Sequence, residues 1–278
     1  MIEVLEATAP QGGKSVDLGL KDKAALVAAA SRGLGKAVAW ELAREGARVA
    51  VCARGEDALR TAATEIAMKT GAEVFAVPAD VTKPDDIGRL VAGVQERFGQ
   101  IDILVANAGG PPIGTFADFD DAAWEAALNL NLLSTVRLCR AVLPGMRTRG
   151  WGRIVTITSV TVKQPMDGFV LSTAARSAVA GMAKTLANEY AAEGITVNNV
   201  CPGYTLTDRV ERLAEARAEK LGKTVPEIIE GFAAEIPASR LGKPEEIAAV
   251  VTFLASERAA YITGATIQID GGYVKSLL

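Results

Sequence analysis

Two groups of residues in this sequence have types and spacings that could do chemistry. The first is the turn AAASRGLG, where Gly33 and Gly35 follow an apolar run and precede a helical pattern. Glycines in such a turn let the backbone approach a pyrophosphate at a helix N-terminus, although two glycines alone are a weak signal. The second is the pair Ser172 and Arg176, which helical spacing places one turn apart on one face of a long helix over 168–194.

A third feature distinguishes between two dinucleotides. An acidic residue at the end of the second apolar run would bind the ribose 2′-hydroxyl of NAD, but the segment VCARGED has Arg54 there, and Arg32 lies in the glycine turn. Two guanidinium groups near one ribose favour a 2′-phosphate, so we expect NADP(H) rather than NAD(H). Two solvated surface arginines are the alternative.

The residue types also exclude several kinds of site. The chain has no His, which excludes a Ser-His-Asp triad, a Cys-His pair and a His-containing zinc site. A general acid or base must then be Tyr, Lys, Asp, Glu or water. Cys52, Cys139 and Cys201 form no C-x-x-C motif and have apolar neighbours, so we expect buried free thiols and no metal site.

The elements that position these residues alternate along the chain. Seven apolar, β-rich segments predict strands: 24–30, 47–53, 72–80, 101–107, 152–159, 195–201 and 265–270. Continuous apolar strands are typical of a parallel sheet covered on both faces. Helical patterns lie between them, and right-handed βα crossovers then require a doubly wound sheet. We therefore predict an α/β, single-domain Rossmann-type fold, with seven parallel strands and helices on both faces.

N-cap residues and glycines predict where four of the helices begin or end. The predicted segments are Lys36–Glu45 before Gly46, Glu56–Thr70 before Gly71, Pro84–Phe98 after Thr82, and Asp121–Arg147 after Asp120. Thr82 and Asp120 are expected to act as N-caps, because a side-chain oxygen there accepts a bond from the first turn.

Two segments lie outside the alternation. Residues 1–17 are expected to form a mobile extension, and 18–278 the dinucleotide-binding domain. The stretch 204–237 is a helical insertion just past a strand end, where such sheets bind ligands. We expect a substrate lid there, with an oligomer contact as the alternative. Its apolar residues favour either an apolar ligand or packing on the core: Leu206, Val210, Leu213, Leu221, Ile228 and Ile229.

The composition of the chain limits the classes of binding partner that we expect. The formal net charge is -3 and basic residues are scattered, so nothing favours nucleic acid. No run approaches the ~20 apolar residues of a membrane span. The first residues lack the basic and apolar regions of a signal peptide. We expect a cytoplasmic protein without a membrane partner.

In several ordered motifs, the chain resembles the short-chain dehydrogenase/reductase family, near its 3-oxoacyl-acyl-carrier-protein-reductase-like branch, over about 18–278. The motifs are the glycine turn, PADVT, VANAGG, LNLNLLS, CPGYTLT, IPASRLGKPEEIA and IDGGY. The first glycine of the family's turn is Ala29 here, and a left-handed Ala costs about 1–2 kcal/mol. The resemblance implies these cofactor-binding residues: Ala29, Ser31, Arg32, Gly33, Leu34, Gly35, Arg54, Asp80, Val81, Asn107, Ala108, Gly109, Arg176, Pro202, Gly203, Thr205 and Thr207.

The same resemblance identifies a departure at the catalytic positions. Ser159 falls on the family's catalytic serine and Asn131 on its active-site helix asparagine. The family's Y-x-x-x-K falls on Ser172 and Arg176, so both proton-transfer residues are replaced. Ser is a far weaker acid than Tyr, and Arg does not deprotonate. Loss of general acid catalysis typically costs about 10²–10⁴-fold in rate.

Other residues could take over this role. Lys163 lies on the loop leading from Ser159, and Tyr204 follows Pro202-Gly203. We hypothesise that Lys163 or Tyr204 supplies the proton. A solvated loop charge and lid packing are the respective alternatives. Ser172 is a candidate catalytic residue and equally a helix N-terminal residue that satisfies backbone donors.

These observations predict an NADP(H)-dependent oxidoreductase that moves a hydride between nicotinamide and a carbonyl or alcohol carbon by a non-standard proton path. A catalytically impaired dinucleotide sensor or scaffold is the main alternative, and redox-neutral elimination or isomerisation is another. The substrate is a small-molecule or acyl-thioester carbonyl compound. A carrier protein would be attracted by Arg137, Arg140, Arg147 and Arg149, which equally fit a solvated helix end. The family resemblance implies a homotetramer.

Overall fold

The structure is a computed structural model that describes residues 16–277. Most of the expected mobile extension over 1–17 lies outside the described residues. Asp17, near its end, is fixed by two hydrogen bonds. Its backbone oxygen accepts from Arg258 Nε at 3.0 Å, and its Oδ1 accepts from the Gly19 N–H at 2.8 Å.

Seven parallel strands form one sheet with the order β3-β2-β1-β4-β5-β6-β7. The strands are β1 (Ala24–Ala28), β2 (Arg48–Ala53), β3 (Val74–Pro78), β4 (Ile103–Ala106), β5 (Gly152–Ile157), β6 (Ile195–Pro202) and β7 (Thr266–Ile269). Every residue of β1, β4, β5 and β6 is buried, as expected when helices cover both faces. The predicted Rossmann-type α/β sheet is confirmed.

Nine α-helices within residues 16–277 connect the strands or follow them. They are α1 (Gly33–Arg44), α2 (Glu56–Thr70), α3 (Pro84–Phe98), α4 (Asp121–Leu128), α5 (Ser134–Arg149), α6 (Val170–Tyr190), α7 (Asp208–Leu221), α8 (Val225–Ala234) and α9 (Pro244–Leu254). The predicted bounds of α2 and α3 are confirmed, because Gly71 and Gly99 adopt the left-handed conformation that ends each helix.

Only one of the two predicted N-caps is confirmed. Asp120 accepts a hydrogen bond from the Ala123 N–H at the start of α4. The prediction for Thr82 is wrong, since Lys83 occupies the N-cap of α3. The Thr82 hydroxyl instead donates to Asp80 Oδ1 at 2.8 Å, a local side-chain bond that competes with capping.

The predicted continuous helix over 121–147 is interrupted. A π-helical turn over Asn129–Leu133 separates α4 from α5, which continues to Arg149. The combined segment Asp121–Arg149 meets the length and composition of a membrane-crossing helix, yet α5 packs against α3, β4 and β5. It is therefore a core helix of this sheet.

Apolar side chains form one buried cluster on each face of the sheet. A third, smaller cluster lies between α7 and α8 and is centred on Ala214, Ile228 and Phe232. Burial of each large side chain contributes about 1.5–3 kcal/mol, so the insertion after β6 has a core of its own. Cys52, Cys139 and Cys201 are buried free thiols, as predicted, and burial raises the pKa of Cys52 and of Cys139 to about 12.

Candidate active site

A cavity of about 970 Å³ lies at the carboxyl edge of the sheet. Segments that follow β1, β2, β3, β4, β5 and β6 all contribute to its wall, as does α7. All the predicted cofactor-binding residues line it except Gly35, together with Ser159, Ser172 and Tyr204. The structure thus brings the glycine turn and the predicted hydroxyl groups to one cavity.

The turn after β1 contains one residue with a strained backbone and one position where a side chain would clash. Ala29 has φ 52°, so it adopts the left-handed conformation in place of the glycine that the family has there, at a cost of about 1–2 kcal/mol. A Cβ on Gly35 would lie 2.3 Å from the Ala29 carbonyl oxygen. Gly35 therefore lets α1 pack closely on the turn without lining the cavity.

This turn fits a pyrophosphate. Gly33, with φ 56°, lines the cavity at the first residue of α1, and no acidic residue lies in the first turn of that helix. The unpaired N–H groups of a helix N-terminus carry partial positive charge that attracts phosphate oxygens. Ser31, Gly33 and Leu34 would hold that group of a dinucleotide.

The two arginines proposed for a 2′-phosphate differ in their surroundings. Arg54 lines the cavity and forms no hydrogen bond or ion pair with other residues in 16–277. Arg32 instead forms an ion pair with Asp208 at 3.1 Å, with both side chains more than half exposed. Both guanidinium groups line the cavity, as the sequence predicted, but one N–H of Arg32 is already bonded to a residue of α7.

Asp80 lies near Arg54 in the same wall. Burial opposes its ionisation, but hydrogen bonds from the Thr82 N–H and hydroxyl and the charge of Arg54 outweigh this effect. Together they hold the pKa of Asp80 below its ordinary value. Asp80 is therefore a carboxylate, and its charge partly offsets that of Arg54.

Arg176 is a buried connector between two strand ends. Its Nη1 donates to the carbonyls of Ile157 and Thr158, both at 3.0 Å. Its Nη2 donates to those of Ala108 at 3.3 Å and Gly109 at 3.4 Å. These four bonds use all the N–H groups on the two terminal nitrogens, so only Nε–H is left for the ribose hydroxyl that the sequence assigned to Arg176.

Burial and the charge of Arg209 lower the pKa of Arg176 to about 10. At neutral pH the side chain keeps its proton, so Arg176 is a fixed cation and not a proton relay. The sequence pattern paired Ser172 and Arg176 for chemistry, whereas the structure gives Arg176 backbone carbonyls as partners.

The hydroxyls of Ser159 and Ser172 both line the cavity. Ser159 Oγ accepts from the Thr161 N–H at 3.2 Å, at a 3₁₀ turn over Val160–Val162, which leaves its proton free to be donated. Ser172 is 5% exposed, and its hydroxyl forms no hydrogen bond to other residues in 16–277. Its interpretation as a cap is wrong, since Phe169 is the N-cap of α6 and no side chain caps it.

Two other predicted catalytic residues, Asn131 and Lys163, are placed differently. Asn131 does not line the cavity and lies buried on the π turn, where its Nδ2 donates to the Gly109 carbonyl at 2.9 Å. Lys163 ends the turn after Ser159 and does not line the cavity. Both lie near the cavity wall without forming it.

Tyr204 lines the cavity but is packed as a lid residue. Its ring stacks on Phe232 with centroids 4.4 Å apart and meets Tyr273 edge-on at 5.7 Å. Burial, followed by the charges of Tyr273 and Glu235, raises the pKa of Tyr204 to about 12. A phenol with a raised pKa is a poorer acid at neutral pH, so the packing alternative describes Tyr204 better.

The insertion after β6 lies against the cavity, as expected for a lid. Val210 and Leu213 line the cavity, while Ile228 and Ile229 pack in the cluster between α7 and α8. Leu206 and Leu221 are exposed. Val210 and Leu213 also pack against that cluster, so the choice between an apolar ligand and packing stays a prediction.

The basic residues expected near the site are dispersed. Arg149 donates to the carbonyl of Ile101, just before β4, and Arg147 pairs with Glu193, just before β6. These partners lie at the amino edge of the sheet, opposite the cavity. Arg137 binds the Thr82 carbonyl and Asn129 Oδ1, so Arg147 and Arg149 are not residues of this site.

Sequence reasoning missed two arginines of α7. Arg209 donates to the carbonyls of Gly110 at 3.3 Å and Pro111 at 3.2 Å, and both Arg209 and Arg212 line the cavity. Their i, i+3 spacing places them on one helix face, which was the available signal. Met166 and Phe169 also line the cavity and were not predicted.

Known proteins share this chain's sequence and fold. A family model described as enoyl-(acyl carrier protein) reductase matches residues 28–274. D-beta-hydroxybutyrate dehydrogenase of Rhizobium meliloti (strain 1021) is 36% identical over 255 residues, covering 90% of this chain and 98% of that protein. The 3-oxoacyl-(acyl-carrier-protein) reductase FabG of Escherichia coli (strain K12) is 38% identical over 255 residues, covering 92% and 98%.

A solved structure agrees with these relatives. L-sorbose reductase from Gluconobacter frateurii, complexed with NADPH and L-sorbose, superposes with a TM-score of 0.91 at 35% identity, covering 94% of this chain and all of that chain. The family model spans most of the sequence, and the matched relatives are covered almost entirely. The chain therefore belongs to the short-chain dehydrogenase/reductase family of oxidoreductases.

Proposed function

We propose that this oxidoreductase transfers a hydride between NADP(H) and the carbonyl or alcohol carbon of a small-molecule substrate. One observation carries the proposal: the glycine turn, Arg54, Ser159 and Ser172 all line the same cavity. Hydride transfer needs the dinucleotide and the reacting carbon side by side. A cavity of about 970 Å³ has room for both, since small-molecule sites span about 300–1,000 Å³.

The choice of NADP(H) rests on Arg54. Its guanidinium lies beyond the end of β2 and has no partner within residues 16–277, so it is free to bind a 2′-phosphate. The structurally similar L-sorbose reductase was solved with NADPH, which supports the same cofactor here.

The nicotinamide, when bound, supplies or accepts the hydride. The Ser159 hydroxyl donates a hydrogen bond to the substrate oxygen, because its Oγ already accepts from the Thr161 N–H. Ser172 Oγ, which has no partner within residues 16–277, holds a water beside that oxygen. The proton that completes an alcohol comes from this water, and the hydroxide left behind is neutralised by exchange with solvent, since Tyr204 is packed and Lys163 does not line the cavity.

Arg176 contributes charge and positioning to the same chemistry. Its cation is held near Ser159 through the Ile157 and Thr158 carbonyls. A fixed positive charge favours negative charge that develops on a substrate oxygen. The replacement of a Tyr/Lys pair therefore leaves orientation and electrostatics available, at a lower rate of proton transfer.

The alternative of a cofactor sensor or scaffold finds no support among the relatives, which are named reductases and dehydrogenases. Closure of the 204–237 segment over substrate, an acyl-thioester substrate, a homotetramer and a cytoplasmic location stay predictions. They rest on the insertion's position and on the family resemblance.

Titration of the purified protein with NADPH and with NADH, followed by nicotinamide fluorescence, tests the cofactor. We expect NADPH to bind more tightly and Arg54→Met to weaken NADPH binding by about 10- to 100-fold, as loss of a charge-assisted bond would. Arg60→Met is the matched control, because Arg60 pairs with Glu56 on α2 and does not line the cavity. Failure of both nucleotides to bind would refute the proposed function.

Oxidation of NADPH with a panel of ketones, aldehydes and acyl thioesters then tests the hydride transfer. Turnover of at least one carbonyl class is expected. Nucleotide binding without turnover of any of them would leave a binding protein and contradict the assigned reaction.

A further inference from the structure

More positive than negative side chains line the cavity, and several of the positive ones have no carboxylate partner within residues 16–277. The lining residues include Arg32, Arg54, Arg176, Arg209 and Arg212, against the carboxylates Asp80 and Asp208. Both carboxylates lie with the dinucleotide residues, since Asp208 pairs with Arg32 and Asp80 faces Arg54 and Thr82. Within residues 16–277, no carboxylate pairs with Arg176, Arg209 or Arg212.

The Arg209 side chain is held by backbone carbonyls of the loop that follows β4. Its guanidinium donates to the Gly110 and Pro111 carbonyls, and a Cβ added to Gly110 would lie 2.2 Å from the guanidinium carbon. With any other residue at position 110, the Arg209 guanidinium would have to move. Two of the five N–H groups of Arg209 are used, so three still face other partners.

Arg212 lies one helical turn further along α7 and also lines the cavity. Its side chain forms no hydrogen bond or ion pair with any residue from 16 to 277, so all five of its N–H groups can bind a ligand. Removal from water and the charge of Arg212 hold the pKa of Arg209 below its ordinary value. Two like charges on one helix face repel, and an anion between them would relieve the repulsion.

Arg176 adds positive charge to this region, but its terminal nitrogens have no free N–H group. All four N–H groups on its terminal nitrogens are taken by backbone carbonyls. Its charge still acts on Arg209, since each guanidinium raises the cost of placing the other there. The open donors for a ligand are therefore those of Arg209 and Arg212.

We propose that Arg209 and Arg212 bind the carboxylate of an anionic substrate, an oxo acid or the corresponding hydroxy acid. This inference rests on the proposed function, because it assigns the substrate class of the same cavity. The planar guanidinium fork matches a carboxylate bidentately. Val210, Leu213, Met166 and Phe169 line the cavity as well, and they accommodate a short aliphatic chain between the carboxylate and the reacting carbon.

A cofactor phosphate is the other anion that could meet these arginines. A substrate carboxylate and a cofactor phosphate can be distinguished by the ligand whose affinity depends on the arginines. A substrate carboxylate makes the protein prefer an acid over its ester, whereas a cofactor phosphate makes the arginines control NADPH affinity alone. Both quantities can be measured on one variant.

The test compares 4-oxopentanoate, 5-oxohexanoate and 6-oxoheptanoate with their methyl esters. Calorimetric titration into the protein saturated with NADP⁺ measures binding without turnover, and NADPH oxidation measures kcat and KM. Arg212→Met is the test variant, because it removes no side-chain hydrogen bond or ion pair within residues 16–277. Lys220→Met, on the same helix and outside the cavity wall, removes an equal charge as the control.

We expect at least one acid to bind more tightly than its ester, and Arg212→Met to weaken acid binding about 10- to 100-fold, as loss of a charge-assisted bond would. Ester binding, NADPH affinity and the Lys220→Met protein should change little. Equal binding of acids and esters would overturn the proposal, as would equal losses in both variants. A fall in NADPH affinity alone would also overturn it and assign Arg212 to a cofactor phosphate. Acid binding that depends on Arg212 without any turnover would uphold the carboxylate site and refute the hydride transfer.

Discussion

Arg32 and Asp208 form an ion pair at 3.1 Å that joins the glycine turn to the first residue of α7. The two residues are 176 positions apart in the chain, and both line the cavity. A 2′-phosphate bound near Arg54 would compete with Asp208 for the Arg32 guanidinium. A bound 2′-phosphate would therefore weaken the contact between the glycine turn and α7.

Asp208→Asn should therefore tighten NADPH binding by up to about fivefold, because an exposed ion pair is worth about 0–1 kcal/mol and its loss frees Arg32. NADH binding should not change, since it lacks the 2′-phosphate. Fluorescence titration with both nucleotides measures this difference. Glu211→Gln, in the same helical turn but outside the cavity wall, controls for the lost negative charge. An equal gain for NADH would show that general charge, and not Arg32, is responsible.

The sequence predicts the sheet well because its evidence is local. Apolar runs mark the strands, and Gly71 and Gly99 end α2 and α3 by adopting φ values that favour glycine. The glycine turn is recognised for the same reason, and Ala29 adopts the left-handed conformation whose cost the sequence analysis gave. Such signals depend on a residue and its immediate neighbours.

The site is less predictable because its decisive contacts join distant segments. Arg176 was paired with Ser172 by helical spacing, but its partners are carbonyls of β5 and of the β4 loop. Arg209 depends on Gly110, which is 99 positions away. Neither contact leaves a pattern in the sequence, so the sequence identifies the residue types at the site and not their roles.

Removal of the Ser159 hydroxyl should lower activity, whereas removal of the Tyr204 hydroxyl should not. Ser159→Ala should lower kcat/KM by about 10²–10³-fold, as loss of one preorganised donor to a reacting oxygen does. Tyr204→Phe and Lys163→Met should leave kcat/KM nearly unchanged, because the first retains the stack on Phe232 and the second lies outside the cavity wall. Steady-state kinetics with a carbonyl substrate measures all three. A large loss in Tyr204→Phe would instead restore the phenol as the proton donor.

Arg176 and Ser172 should differ in their effect on stability. Arg176→Met leaves four carbonyl acceptors without their buried donor and should lower the free energy of unfolding by about 2–4 kcal/mol. Ser172→Ala removes no hydrogen bond within residues 16–277 and should change it by less than about 0.5 kcal/mol. Urea denaturation of both variants provides the comparison. Equal midpoints would mean that the carbonyls gain other partners when Arg176 is lost.

Glu246 should give the fold a pH-dependent component near α9. Its carboxylate accepts from Arg240 Nη1 and from the Lys243 N–H, each at 2.7 Å. The Arg240 side chain, followed by the Lys243 backbone, lowers the pKa of Glu246 from 4.5 to about 2. A carboxyl whose folded pKa is depressed stabilises the fold above its unfolded pKa, and this stabilisation is lost as the pH falls through the folded value.

Wild-type protein should therefore lose stability between about pH 4.5 and pH 2 through this group, and Glu246→Gln should lack that part of the loss. Urea midpoints measured across this range test the expectation. Glu245→Gln is the matched control, because Glu245 lies in the same first turn of α9 and forms no ion pair within residues 16–277. Identical pH profiles for wild type and Glu246→Gln would show that the Arg240 pair contributes nothing, since a depressed pKa in the folded state requires the unfolded chain to bind more protons.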